Sequence, residues 1–160
     1  MAKRPPYANP VKTWADNPRL WAERLTATGC PFCPLNPSGA FVELPASWVL
    51  IPEEAVLPGY VVLVSKTHVI EPYELPIRDR QQFWEDCMQT AEAVASVVKP
   101  VKTNYEIHGN TIPHLHMHIF PRHVGDPFER SPIDPHRVRP VRRPEDSTEA
   151  LRAAIVGGGG

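Results

Sequence analysis

Between residues 112 and 122 the chain reads Ile-Pro-His-Leu-His-Met-His-Ile-Phe-Pro-Arg, and the strict alternation at its centre is the pattern of a half-buried strand. A strand turns successive side chains to opposite faces and rises about 3.3 Å per residue. His114, His116 and His118 then line one face at intervals of roughly 6 to 7 Å, while Leu115, Met117 and Ile119 line the other. Such a strand packs its hydrocarbon side on a core and presents imidazoles to a cleft. Near neutral pH an imidazole serves as nucleophile, general acid or base, or metal ligand.

The other elements can be arranged around that strand in one domain, since 160 residues suffice for a single core and are too few for two comfortable ones. Asn17-Pro18 reads as an N-cap followed by proline in the first turn, opening a short helix through Leu20, Trp21 and Leu25 that Gly29 ends. Cys30-Pro-Phe-Cys-Pro34 is a rigid turn. Strands are predicted over 40–44 and 48–51, and again over 60–65 after the Pro58-Gly59 turn, with Glu53 and Glu54 in the intervening loop.

One long helix is predicted over 78–98. Phe83, Cys87, Ala91, Val94 and Val98 form its apolar stripe, in which Cys87 is a packed side chain, and Lys99-Pro100 ends it. A strand over 103–108 turns at Gly109-Asn110 and can pair antiparallel with the histidine strand. The expected fold is α+β: a mostly antiparallel sheet with one long helix and a short N-terminal helix. Residues 1–13 read as a flexible arm, 14–125 as the domain, and 126–160 as a Pro/Arg-rich extension carrying Arg137, Arg139, Arg142, Arg143 and a short helix over 148–156.

Lys and Arg (17) nearly balance Asp and Glu (18), so no general attraction to nucleic acid or to an anionic membrane is expected. The longest apolar run, around Tyr60 to Val64, is far too short to span a bilayer, and the N-terminus lacks a basic-then-apolar signal. A cytoplasmic protein without membrane or nucleic-acid partners is the expectation. Three cysteines make no disulfide framework, and the Cys30-x-x-Cys33 spacing suits a redox pair or half of a zinc site.

His-x-His-x-His alone permits a metal site or covalent catalysis by one imidazole with its neighbours handling protons and charge. Asn110 and Thr111 just upstream offer amide and hydroxyl donors suited to an anionic oxygen, and no carboxylate lies among the histidines. His108, His123 and His136 are read as surface or supporting residues.

The run His114-Leu-His-Met-His-Ile-Phe120, in which apolar residues separate the histidines, resembles the histidine triad (HIT) family of nucleotide hydrolases and transferases, including bacterial diadenosine tetraphosphate hydrolase-like members. The likeness extends through Asn104 to Thr111, Pro121-Arg122, the Pro58-Gly-Tyr-Val-Val-Leu-Val-Ser-Lys-Thr-His68 segment and Cys30-Pro-Phe-Cys33. It implies that His116 is the nucleophile, attacking the α-phosphorus of a dinucleoside polyphosphate or nucleoside phosphoramidate to give a nucleotidyl-histidine that water resolves. It implies further that His114 orients His116 through its main-chain carbonyl, that His118 contacts the phosphate and leaving-group side, and that Asn110, Thr111 and Asn104 lie by the phosphates.

By the same resemblance Cys30, Cys33, His68 and His114 would form a structural zinc site, with no metal needed for the chemistry, and the chain would form a homodimer. Two positions depart from the pattern. Tyr60 stands where many members carry histidine, and Pro52 where many carry the Asp or Asn that grips the ribose, with Glu53 or Glu54 as substitutes. Two other readings remain from the residues alone: a non-catalytic nucleotide-binding module with a relic triad, and a redox or metal-dependent enzyme using the histidines as ligands.

Overall fold

The structure, a computed structural model, describes residues 13–33 and 41–158, so all of the expected N-terminal arm except Thr13 lies outside the described residues. The Val-rich segment Val61–Ser65 (β4) is buried at all five positions, which requires cover on both faces. Its neighbours supply the sheet. Phe41–Glu43 (β1), Ser47–Leu50 (β2), β4, His116–Arg122 (β6) and Lys102–Glu106 (β5) run in the spatial order β1-β2-β4-β6-β5, every pair antiparallel.

One face of this sheet is covered by Ile77–Val98 (α2), whose stripe of Phe83, Cys87, Ala91 and Val94 is buried as its spacing predicts. It packs with Val49, Leu63, Met117 and Ile119, and the Cys87 thiol lies 2.9 Å from the Met117 sulfur. Burying side chains of this size contributes about 1.5–3 kcal/mol each. Asp86 is the charged exception among the buried residues of α2, beside the polar Thr90. Its carboxylate accepts from Ala46 N (2.9 Å), Ser47 Oγ (2.7 Å) and Gln82 Nε2 (2.9 Å), tying α2 to the β1–β2 turn. The terminal helix Glu145–Gly157 (α3), longer than expected at both ends, adds Leu151 and Ile155 to the same core.

The alternation on β6 is as read: Met117 and Ile119 face the α2 core, and His116 and His118 the opposite side. The strand nevertheless begins at His116 rather than at His114. The ladder with β4 stops at Val64 opposite His116, and Leu115 is held outside it, its N–H donating to Val69 O (2.6 Å) and its carbonyl accepting from Ser65 N (3.0 Å). Pro113 has no N–H with which to continue pairing. The first helix, Pro18–Arg24 (α1), opens as predicted with Asn17 Oδ1 accepting from Leu20 N (3.0 Å). It stops before Gly29, because Thr26 Oγ1 turns back to Glu23 O (3.0 Å) and accepts from Gly29 N (3.2 Å). Gly29 serves a different end: a Cβ there would lie 2.1 Å from Glu23 O.

The histidine face is covered near Phe120 by the chain that follows β6. Leu57, Phe120 and Phe128 form a second core with Val56, Tyr60, Ile133 and Val138 around it. The loop holding Glu53 and Glu54 also contributes a short strand, Glu54–Ala55 (β3), which pairs with Val141–Arg142 (β7). Arg137 and Arg139 are solvent-exposed, whereas Arg143 turns inward. No helix among the described residues is long and apolar enough to cross a membrane.

The return of the chain after β6 is fastened by Arg122. Its Nε and Nη2 grip Asp126 at 2.7 and 2.9 Å, Nη1 donates to Asn104 Oδ1 (2.7 Å), and Nη2 also donates to Phe128 O. Asp126 further accepts from the N–H groups of His123 and Phe128. The pair is largely shielded, at 13% and 4% side-chain exposure. The Arg122 hydrogen bonds hold the Asp126 carboxyl down to about 2. Asp126→Ala is therefore expected to cost roughly 3 kcal/mol, because it leaves a shielded guanidinium unpaired. In wild type this contribution is complete above the ordinary carboxylate pKa of about 4 and is lost as pH falls towards about 2. Urea unfolding of wild type and variant at pH 7 and pH 3 checks both, and equal stabilities at pH 7 would refute them.

Candidate functional site

His114, His116 and His68 are each oriented by a main-chain carbonyl, which can only accept. His116 lies at the start of β6, 7% exposed, and its Nδ1 donates to His114 O at 2.6 Å. In the neutral ring this assigns the lone pair to Nε2. Burial is the main influence on its pKa and pushes it down, against the raising effect of that hydrogen bond, and the charge of nearby His108 lowers it further. A neutral imidazole with one free lone pair is the nucleophilic form.

His118, two residues on, is half-buried with its ring centroid 5.1 Å from that of His116. Burial, then the charges of His116 and His108, push its pKa down to about 3. Its Nδ1 lies 2.8 Å from Tyr60 Oη, and Tyr60, Phe120 and His118 lie nearly parallel within 15° of one another. Phe32, from inside the C-x-x-C turn, meets His116 edge-on at 5.1 Å and His114 at 5.8 Å, walling the His116 ring on the other side.

His114 is 2% exposed, and its Nε2 donates to Ser65 O at 2.8 Å. Its Nδ1 therefore carries a lone pair, and so does Nδ1 of His68, whose Nε2 donates to Leu25 O at 2.9 Å. The two Nδ1 atoms face each other at 3.2 Å. Around them lie Cys30 Sγ, 3.3 Å from His114 Nδ1, and Cys33 Sγ, 3.0 Å from His68 Nδ1 and 3.6 Å from His114 Nδ1. All four donor atoms lie within 4.8 Å of one another. In a tetrahedral zinc site, bonds of about 2.0–2.3 Å set neighbouring ligand atoms roughly 3.3–3.8 Å apart, so the donor set is compatible with zinc. Burial pushes the Cys33 thiol up to about 11, helped by Cys30, so a thiolate would form here only with a cation beside it.

The structure thus brings Cys30, Cys33, His68 and His114 together, and sets His114, His116 and His118 in a row beside them. Asn110 and Thr111 lie on the loop between β5 and His114. Arg24 of α1 holds this loop by donating to Thr111 O at 2.7 Å. Among the described residues neither the Asn110 amide nor the Thr111 hydroxyl makes a hydrogen bond. Asn104 stands further along, opposite Phe120 on β5. With its oxygen taken by Arg122, it lines a separate depression with Lys102, Arg122, His123, Asp126 and Glu129. Glu53 and Glu54 engage the C-terminal segment: Glu53 O accepts from Arg143 N at 2.7 Å, and Glu54 pairs with Arg142.

Some participants escape a reading of the sequence. Leu25 O and Ser65 O, which set the tautomers of the two histidines in the cluster, are main-chain groups without any side-chain signature. His108, read from the sequence as a surface or supporting residue, pairs with Glu106 at 2.8 Å and lies 6.1 Å, ring to ring, from His118.

The family model for the HIT domain matches residues 34–125 of the chain. A Bacillus subtilis relative, protein hit, is 28% identical over 112 residues, covering 64% of this chain and 77% of its own. Among solved structures, a histidine triad protein from Bradyrhizobium japonicum is similar with a TM-score of 0.66 at 24% identity, over 74% of this chain and 90% of that one. A Zn-bound histidine triad family protein from Mycobacterium smegmatis is similar with a TM-score of 0.61 at 20% identity, over 82% of this chain and 96% of that one.

Proposed function

The chain belongs to the HIT family, and from that premise we propose that it is a nucleotide hydrolase or nucleotidyl transferase whose His116 attacks the α-phosphorus of a dinucleoside polyphosphate. The observation that carries this reading is the 2.6 Å hydrogen bond from His116 Nδ1 to His114 O, which leaves Nε2 of a buried ring with the lone pair that a nucleophile needs. In the first step the Nε2 lone pair forms a bond to phosphorus, and the bond to the bridging oxygen breaks with its electrons. In the second, water displaces the imidazole and releases a nucleotide and a proton. Asn110 and Thr111 supply donors to the phosphate oxygens, a role supported by their unengaged side chains on the loop that leads into His114.

A polyphosphate leaves as an anion, whereas the amine of a nucleoside phosphoramidate must be protonated to leave, so assays with both substrate classes identify the leaving group. His116→Ala is expected to lower turnover of diadenosine polyphosphates by at least about 10³-fold with an unchanged circular dichroism spectrum, and wild type is expected to yield a nucleotidyl adduct on His116 by mass spectrometry. Wild-type turnover by the alanine variant would overturn the assignment.

Cys30, Cys33, His68 and His114 are assigned to a structural zinc. The ion would supply the positive charge that two thiolates and two facing Nδ1 lone pairs require, and would tie the α1 segment to the end of β4. The Zn-bound M. smegmatis relative supports this assignment. Elemental analysis of protein prepared without chelators is expected to give one zinc per chain. Cys33→Ser is expected to lose the metal and to melt well below wild type, with activity falling only as the fold is lost. A metal-free wild type that melts with its Cys33→Ser variant would contradict the assignment.

A homodimer belongs to the same reading. Ile77, Trp84 and Met88 are exposed along α2, and β5, with Tyr105 exposed, is an edge strand of the described sheet. Light scattering after gel filtration is expected to give a dimer for wild type and a monomer for Trp84→Glu; a monomeric wild type would refute it.

A further inference from the structure

Tyr60 occupies the position just before β4 and is located from both ends. Its main-chain carbonyl accepts from Arg143 Nη2 at 2.5 Å, and Arg143 is itself anchored through its N–H to Glu53 O and through the β3–β7 pairing beside it. Its ring stacks on Phe120, with centroids 4.6 Å apart and planes 13° apart. Its hydroxyl, 2.8 Å from His118 Nδ1, is thereby delivered to one nitrogen of one triad histidine. The Arg143 clamp comes from the segment after residue 125, beyond the region that matches the family model.

A hydroxyl can donate or accept, and a neutral imidazole offers one donor and one acceptor. The direction of this single hydrogen bond therefore decides what the other nitrogen of His118 presents beside the nucleophile, whose ring lies 5.1 Å away. If Nδ1 donated, Nε2 would carry a lone pair and repel a phosphate oxygen. If the phenol donates, Nε2 carries the proton and attracts one.

We propose that Tyr60 is a positioning residue for the reaction: its hydroxyl donates to His118 Nδ1 and fixes that ring as the Nε2–H tautomer, so that His118 presents a hydrogen-bond donor to the phosphate attacked by His116. The proton is shared with the phosphate oxygen and never transferred, since a neutral imidazole that lost it would become an imidazolate. Burial keeps the ring in the neutral state in which a tautomer is defined. The direction of this hydrogen bond and the purpose of the donor both rest on the nucleotidyl transfer read above, whereas the tautomer can be measured without it.

The test uses the full chain labelled with ¹⁵N-histidine. Long-range ¹H–¹⁵N spectra at pH 7 are expected to show His118 as Nε2–H in wild type and as a mixture or as Nδ1–H in Tyr60→Phe, which retains the stacked ring. In steady-state assays with a diadenosine polyphosphate, Tyr60→Phe is expected to lose about 10- to 100-fold in kcat with little change in KM. A wild-type His118 protonated on Nδ1 overturns the proposal without any assay, as does a Tyr60→Phe variant with an unchanged tautomer and unchanged kcat. Should wild type turn over no dinucleoside polyphosphate, the spectra still decide the Tyr60 assignment, and only the function read from His116 fails.

Discussion

The site depends on the way His114 is held. Its carbonyl receives the His116 N–H, its Nε2 is spent on Ser65 O, and its Nδ1 faces the cluster of Cys30, Cys33 and His68. Each contact fixes a different degree of freedom. Because Leu115 is bonded through its carbonyl to Ser65, the last residue of β4, and through its N–H to Val69 beyond it, the His114 peptide has little room to turn. The carbonyl that selects the His116 tautomer is thus anchored by the same residue whose ring faces the metal-compatible cluster. A loss of order at the cluster would reach His116 through one residue and through Phe32, which touches both rings.

The sheet separates packing from chemistry. Met117 and Ile119 commit one face of β6 to the α2 core, which leaves His116 and His118 facing the other way. That second face is divided along its length. Near Phe120 it is closed by a small apolar core and fastened by Arg122 and Asp126, and near His116 it is bounded by Phe32. Dry walls lower the pKa of both histidines, because neither ring gains enough from hydrogen bonding to offset desolvation of its charged form.

Much of this was legible in the sequence wherever the signal is local and periodic. The alternation in His116 to Phe120 gave the strand and its faces, the three- and four-residue spacing from Phe83 to Val94 gave α2, and Asn17-Pro18 gave the start of α1. Features set by distant main chain were not legible. That β6 begins at His116 depends on where β4 ends and on Val69 capturing Leu115 N. Two-residue strands such as β3 and β7 are too short to carry any period, so the folding of Arg143 back onto Tyr60 had no precursor in the pattern. Asn104 reads as a polar strand residue near the triad, but only the fold reveals that Arg122 occupies it. The four members of the metal-compatible cluster are spread over 84 positions, and nothing in their spacing alone joins them. A family likeness suggested the set, and the geometry gives it a physical reason.

The central claim is that His116 acts as a nucleophile through a covalent intermediate and does not merely activate water. Each in-line displacement at phosphorus inverts its configuration, so two steps restore the starting configuration and one does not. The direct measurement is hydrolysis of a P-chiral α-thio dinucleoside polyphosphate in ¹⁸O-water, with the configuration of the product read by ³¹P NMR. Net retention is the predicted result. Net inversion would mean a single attack by water and would contradict the account.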